Sequence, residues 1–190
     1  MITTLKLGVA VAALAVGGCM SAGAMDAPAG ESISYVGGAA MYPSKTIVGN
    51  AVNSPDHTTL VAAVKAAGLV DTLSGAGPFT VFAPTNAAFA KLPAGTVDTL
   101  LKPENLTTLQ SVLTYHVVPG RVTANELIGL IRAGGGTARL TTVQGGTLSA
   151  SLMGDRVMLT DAKGGMSHVT QADVLQSNGV IHVVDGVVQP

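Results

Sequence analysis

Hydrophobic spacing changes once along this chain, near Ala138, and that change limits the possible folds more than any other feature. Before it, apolar residues recur at helical intervals, as Leu106, Leu109 and Leu113 do at positions i, i+3 and i+7. After it, apolar residues alternate with polar or small ones, as in the segment 148–152. The sequence therefore predicts an α+β fold in which helices come first and an antiparallel sheet follows.

Turn residues place the strands. The segment Phe79 to Phe82 lies between prolines and is predicted to be a short strand within the helical half. Asn178-Gly179 is the strongest hairpin signal in the chain, because these two residues favour the positive φ values of a tight turn. We expect it to join residues 169–176 to residues 180–184. The latter segment is apolar on both faces, which predicts a central, buried strand.

Helix ends also carry local signals. Ser54 precedes a proline, and Thr85 precedes another predicted helix, so each is a candidate N-cap. Thr123 and Glu126 have the spacing of a capping box, in which the two side chains satisfy each other's backbone N–H groups. The three glycines 134–136 predict the end of that helix.

Residues 1–24 are predicted to be a secretory signal peptide. Lys6 gives the positive start, and the apolar run 7–16 is much shorter than the roughly 20 residues that span a bilayer. Two cleavage sites compete. The letters V-G-G-C, ending at Cys19, are similar to a bacterial lipobox, in which the cysteine becomes the lipid-modified first residue; A-G-A, ending at Ala24, is typical of ordinary secretion.

The export signal predicts an envelope location. Cleavage before Cys19 would give a membrane-anchored lipoprotein, with two or more acyl chains for stable attachment. Cleavage after Ala24 would give a periplasmic or secreted protein. Residues 25–43 are rich in Ala, Gly, Pro and Ser, which predicts a flexible tether. A single domain is then expected over residues 44–190, without internal repeats.

Composition excludes several functions. Ten Lys and Arg residues stand against eleven Asp and Glu, so the chain lacks the basic surface that nucleic-acid binding requires. Three Tyr, three Phe and no Trp argue against a base-stacking or sugar-stacking platform. A single cysteine excludes an intramolecular disulfide and a cysteine-rich zinc site.

Sequence motifs of catalysis are missing as well. The chain has no G-x-S-x-G, no H-E-x-x-H and no phosphate-binding glycine loop, and its four histidines form no i, i+4 pair. We therefore expect no catalytic residues, no metal site and no cofactor.

Three segments together resemble the fasciclin domain family. They are GPFTVFAPTNAAF at 77–89, LTYHVVPG at 113–120 and NGVIHVVDGVV at 178–188, and they follow one another in the family's order over residues 44–190. The resemblance implies a wedge-shaped domain: a twisted antiparallel β-sandwich with several helices packed along one edge. It also implies adhesion or another extracellular interaction without catalysis. In animal relatives the tyrosine–histidine segment is implicated in integrin binding, which carries over only to Tyr115 and His116.

The histidines need separate interpretations. His116 continues the apolar stripe of its predicted helix, so it is either a hydrogen-bonded core residue or a direct partner contact. Tyr115 projects elsewhere and is expected to be the more exposed of the two. His182 is expected in the core, whereas His57 and His168, in polar surroundings, are expected in solvent.

These observations favour a cell-envelope or secreted interaction module that binds a protein or polysaccharide at the cell surface or in the periplasm. It would meet the membrane only through a lipid anchor. The alternative is a periplasmic carrier of a small ligand or polysaccharide. An exposed apolar patch around Tyr115 and Pro119 would favour a protein partner, and a deep concave pocket would favour a ligand.

Overall fold

The computed structural model describes residues 32–93 and 95–190. The predicted signal peptide and Cys19 lie outside these residues. Seven α-helices are present among them: α1 Ile47–Ala51, α2 Thr58–Ala66, α3 Val70–Ser74, α4 Asn86–Ala90, α5 Thr96–Leu100, α6 Leu106–Tyr115 and α7 Ala124–Ala133. Nine strands accompany them: β1 Ser34–Val36, β2 Ala39–Met41, β3 Phe79–Pro84, β4 Val117–Pro119, β5 Thr137–Thr141, β6 Thr147–Met153, β7 Arg156–Thr160, β8 Met166–Gln176 and β9 Gly179–Val184.

The main sheet has seven strands in the order β4-β3-β9-β8-β7-β6-β5. Its central pair, β3 and β9, is parallel, with Phe79 opposite Gly179 and Pro84 opposite Val184. All other neighbours in this sheet run antiparallel. The α+β class is confirmed, but the sheet is mixed rather than wholly antiparallel. The parallel pair joins two distant segments, which local patterning cannot reveal.

Strand β8 connects the two halves of this sheet. Its first residues, Met166 to His168, pair with β7, whereas Val169 to Gln176 pair with β9. Register shifts follow Val169 and Gln171, and Asp173 has a φ of 57°. Such bulges bend a strand and increase its twist, so β8 can leave one half of the sheet and enter the other.

Two hydrophobic clusters lie on opposite sides of β3 and β9. Ile181 and Val183 of β9 belong to a cluster with Leu60, Leu73 and Leu113 from the helices. The opposite face of β3 and β9 contributes to a second cluster, together with α7 and the strands β5 to β7. The largest residues of this cluster include Phe82, Tyr115, Leu127, Leu148 and Leu159. All six residues of β9 are buried, which confirms the predicted central strand.

The N-terminal segment differs from the predicted tether. Residues 34–41 form a hairpin of β1 and β2, and its Val36 and Met41 are 4% and 2% exposed. The Gln171 amide donates a hydrogen bond of 3.0 Å to the Tyr35 carbonyl and ties the hairpin to β8. Folded structure therefore begins about ten residues before the expected start at 44. The many small residues of this segment led to the prediction of a tether, although Val36 and Met41 are buried.

The hairpin turn between β8 and β9 is confirmed, but its geometry is not the one predicted. The two turn residues are Ser177 and Asn178, Gly179 already belongs to β9, and none of the three has a positive φ. Gly179 is required for a different reason, because a Cβ there would overlap the carbonyl oxygen of Phe79 on the parallel neighbour. Because β3 and β9 approach so closely here, only glycine fits at position 179.

Candidate functional site

The tyrosine–histidine segment lies where α6 ends and β4 begins. Leu109, Val112 and Leu113 form the buried face of α6, and this face leads directly to Tyr115 and His116. The amphipathic spacing of the helix therefore directs both candidate residues toward the core rather than toward solvent.

His116 is 2% exposed, and both of its ring nitrogens have partners. Nδ1 lies 2.8 Å from the carbonyl oxygen of Val112; because a carbonyl only accepts, Nδ1 must carry the proton. Nε2 accepts a hydrogen bond of 3.2 Å from the backbone N–H of Val188. Burial lowers the pKa of His116 to about 4, although the Val112 carbonyl and Asp161 act in the opposite direction. A neutral imidazole thus connects α6 to the C-terminal segment.

Tyr115 is fully buried, contrary to the expectation that it would be the more exposed of the pair. Its hydroxyl donates a hydrogen bond of 2.7 Å to the Thr147 carbonyl, and burial raises the pKa of this hydroxyl. The phenol ring also lies so close to Gly146 that a Cβ there would collide with it. Both side chains are therefore buried, as the interpretation of His116 as a core residue requires, and a role of either residue in partner binding stays a prediction.

Burial also decides the contacts of the other histidines. His182 lies in the core, as expected: its ring stacks on Phe82 with centroids 5.6 Å apart, and Nε2 donates to the Val122 carbonyl at 2.8 Å. His168 is half-buried, with Nδ1 3.7 Å from a carboxylate oxygen of Asp185. Within the described ranges, no group of three or more His, Cys, Asp or Glu is placed to hold a metal ion.

His57 was wrongly expected in solvent and is 3% exposed. Its Nδ1 lies 2.9 Å from Oγ of Ser54, and its Nε2 has no hydrogen-bond partner in the described part of the chain. Burial lowers the pKa of His57, while the nearby Ala83 carbonyl and Asp56 raise it. Serine next to histidine is a nucleophilic pair in hydrolases, but Ser54 is only 2% exposed and offers no attacking hydroxyl to a substrate.

An apolar crevice opens on the outer side of the tyrosine–histidine segment. Val143 is 43% exposed, and its backbone N–H donates to the Val117 carbonyl at 2.8 Å, which holds the β5–β6 loop against β4. Beside it lie the half-buried Leu69, Phe79 and Thr114. The crevice has a volume of about 20 Å³. We name it the Val143 crevice and define it by its eight lining residues: Leu69, Thr72, Leu73, Phe79, Leu113, Thr114, Val117 and Val143.

Sequence reasoning missed this crevice for a clear reason. Val143 lies in a short loop between strands, where no hydrophobic period marks it, and its neighbours come from segments far away in the chain. The tyrosine–histidine motif lies next to this crevice, but its two side chains are buried beneath the surface rather than part of it.

Comparisons with known proteins agree with this fold. Residues 55–190 match the family model described as the fasciclin domain, and the chain belongs to that family. Protein sll1483 of Synechocystis sp. is 47% identical over 160 residues, a match that covers 84% of this chain and 82% of that protein. The cell surface glycolipoprotein MPB83 of Mycobacterium bovis is 36% identical; the match covers 82% of this chain but only 64% of MPB83.

A solved structure shows the same fold at lower identity. The FAS1 domain pair from the insect cell adhesion molecule fasciclin I superposes with a TM-score of 0.67 and 20% identity, covering 75% of this chain and 50% of that one. Among the described residues, no helix is long and apolar enough to cross a membrane.

Proposed function

We propose that this protein is a non-catalytic interaction module of the cell envelope, and that the Val143 crevice contacts a protein partner. The observation that carries the proposal is an exposed apolar side chain, Val143, at the mouth of a crevice whose walls are apolar apart from two threonines. Val143 is continuous with the half-buried Leu69 and Phe79, and contiguous exposed apolar surface marks interaction sites on soluble domains. An apolar crevice with few hydrogen-bonding groups suits a protein side chain better than a polysaccharide.

Tyr115 and His116 have a supporting role in this proposal. His116 holds the end of α6 against the C-terminal segment, and Tyr115 holds it against β6. Thr114 and Val117, which flank the pair, line the crevice. A partner would therefore contact the residues around the motif, whose positions depend on the two buried side chains.

A charge introduced into the crevice tests this proposal. The fluorescently labelled protein should bind to cells of its own species that lack the gene, and Val143→Glu should weaken this binding about tenfold, because the carboxylate would lose its water against an apolar partner. Met166→Glu is the matched control, since Met166 is 64% exposed and lies outside the crevice. Equal binding by Val143→Glu and the unmodified protein would contradict the proposal.

The anchor is a second part of the proposed function. Cys19 ends a lipobox-like sequence, and MPB83, a relative whose match covers most of this chain, is named a cell surface glycolipoprotein. Attachment at Cys19 would hold the domain at the membrane without a spanning helix. The intact mass of the protein from its native membrane fraction provides the test. We expect a chain that begins at Cys19 and carries acyl groups; a soluble chain that begins at Met25 would disprove lipidation.

A further inference from the structure

A second apolar cavity lies between the helices, on the opposite side of Leu113 from the Val143 crevice. It has a volume of about 40 Å³, room for roughly three water molecules. Residues of α1, α2, α3 and α6 surround it, together with Val81 and Phe82 of β3. We name it the helix cavity. Leu73, Leu113 and Val117 line both spaces, so these three side chains form the partition between them.

The walls of the helix cavity offer water almost nothing to bond to. They are aliphatic apart from Phe82, His116 and Lys65. His116 contributes no free polar atom, because its Nδ1 and Nε2 are already bonded to Val112 and Val188. A buried water needs two to four polar partners, and apolar cavities without them stay dry and accept apolar molecules. The apolar walls of the cavity therefore favour a hydrocarbon group over water as its occupant.

The cavity has an entrance. Val48, Val61 and Val70 are only half-buried, although each lines the cavity, so it opens to solvent between α1, α2 and α3. Lys65 follows Val61 by one turn of α2 and lies on the same face of the helix. It also lines the cavity but is exposed as a residue, as expected when a lysine lays its methylene groups along apolar surface and keeps its ammonium group in water.

The Lys65 ammonium group has no hydrogen-bond or ion-pair partner among the residues that the structure describes. An uncompensated cation at the mouth of a hydrocarbon-lined cavity is complementary to a molecule with an apolar tail and an anionic head. We infer that the helix cavity binds the terminal carbons of a short anionic amphiphile, such as an eight-carbon fatty acid. The rest of its chain would lie along the half-buried valines of the entrance, with its carboxylate beside Lys65. This inference is independent of the partner surface at Val143.

Three eight-carbon probes test separately whether the cavity binds the hydrocarbon tail and whether Lys65 recognises the anionic head group. Octanoate, octanol and octylammonium share a tail and differ only in the charge of the head group. Calorimetric titration of the mature protein should show saturable one-to-one binding, strongest for octanoate and weakest for octylammonium. Methyl NMR signals of Val61 and Leu73 should shift on binding, whereas those of Val157, in the other hydrophobic cluster, should not.

Variants locate the site. Val61→Phe should fill the entrance and weaken octanoate binding about tenfold or more. Ala62→Phe adds the same ring one position further, at an exposed residue outside the cavity, and should bind like the unmodified protein. Lys65→Gln should weaken octanoate binding about two- to fivefold, as expected for an exposed charge pair, and leave octanol binding unchanged.

Three results would overturn the inference. Absence of saturable binding of all three probes would mean that the helix cavity is a packing defect. Equal binding of octanoate and octylammonium would mean that Lys65 does not recognise the head group. Loss of binding in Ala62→Phe as well as in Val61→Phe would mean that the ligand does not enter this cavity. None of these results bears on the Val143→Glu experiment, so failure of one proposal leaves the other intact.

Discussion

At the scale of single residues, three buried histidines hold separate parts of the fold together. His116 connects α6 to the C-terminal segment. His182 connects β9 to the loop before α7 through the Val122 carbonyl, and its Nδ1 accepts the Asp173 backbone N–H at 3.3 Å, across the bulge of β8. His57 contacts Ser54, which precedes a short 3-10 turn. Because the acceptor nitrogens of His116 and His182 accept hydrogen bonds only in neutral rings, protonation would break these bonds. Burial favours the neutral ring of His57 as well, so we expect acid to weaken the connections made by all three histidines.

We predict a loss of stability below about pH 6.5. Burial lowers the pKa values of His57, His116 and His182 in the folded state. The unfolded chain therefore binds protons first as the pH falls, and the free energy of unfolding decreases until the folded pKa is reached. For His116, whose pKa is about 4, the window runs from pH 6.5 to about 4 and is worth about 3 kcal/mol.

Urea denaturation at pH 7, 6, 5 and 4.5 measures this effect. A His116→Gln variant should show a shallower dependence on pH, because one of the titrating groups is removed. His168→Gln serves as the control for replacing a histidine at a half-buried position. A free energy of unfolding that stays constant from pH 7 to pH 4.5 would show that these histidines do not titrate differently in the two states.

At the scale of elements, Asn178 joins three segments at the end of the β8–β9 hairpin. Its Oδ1 accepts the Ile47 backbone N–H at 3.0 Å, at the start of α1. Its Nδ2 donates to the carbonyls of Leu73 and Gly75, at 2.8 and 3.0 Å, at the end of α3. One amide thus satisfies backbone groups that two helix ends would otherwise leave without partners.

We predict that Asn178→Ala lowers the free energy of unfolding by about 2 kcal/mol, because three backbone groups lose their partner and the half-buried site admits water only in part. Asn53→Ala is the matched control: Asn53 is exposed, and within the described part of the chain its side-chain amide makes one hydrogen bond, to the Gly49 carbonyl, so its loss should cost less than about 0.5 kcal/mol. Chemical denaturation compares the two. Similar losses in both variants would mean that Asn178 does not join the helices.

Two glycines should respond to alanine in opposite ways. Gly179→Ala would force the Cβ into the backbone of Phe79 on β3, and we expect a loss of about 3 kcal/mol or more. Gly129, in contrast, lies in the interior of α7, where an added Cβ would meet only open space, so Gly129→Ala should stabilise the protein by about 0.5–1 kcal/mol. Thermal unfolding should move the two midpoints in opposite directions; a shared direction would refute the argument from close approach.

Local signals predicted the elements better than their pairing. The capping box of Thr123 and Glu126 and the N-cap of Thr85 are confirmed, because each depends on residues within one helical turn. Ser54 precedes a 3-10 turn instead of capping a helix, and its side chain makes no cap hydrogen bond. The pairing of β3 with β9 links residues about one hundred positions apart, and no nearby pattern encodes it.

At the scale of the whole molecule, the tyrosine–histidine motif lies beside the candidate site, but it does not encode which side chains are exposed there. The burial of Tyr115 and His116 depends on how α6 packs against β6 and the C-terminal segment. The sequence likewise did not indicate the helix cavity, since its walls come from four helices and two strands. Both spaces arise from tertiary packing, whereas hydrophobic spacing reports only which face of an element is buried.

The N-terminal hairpin is the part of the molecule where the structure departs most from the expectation, and it leads to the last prediction. A chain that begins at residue 44 lacks the buried Val36 and Met41. It also lacks Tyr42, whose backbone N–H and carbonyl are both bonded to the fully buried side chain of Asn50, at 3.0 and 2.7 Å. Among the described residues, the side-chain amide of Asn50 would then keep only its hydrogen bond to Gln176.

We therefore expect the chain that begins at residue 44 to be less stable than one that begins at residue 32 by at least about 3 kcal/mol, from lost apolar burial and an incompletely bonded amide. Urea denaturation of the two proteins measures the difference. Met41→Ala should reproduce about 2–3 kcal/mol of the loss in the longer chain. Tyr35→Ala should cost little, because Tyr35 is 62% exposed. Equal midpoints for the two chain lengths would mean that the hairpin rests on the domain without stabilising it.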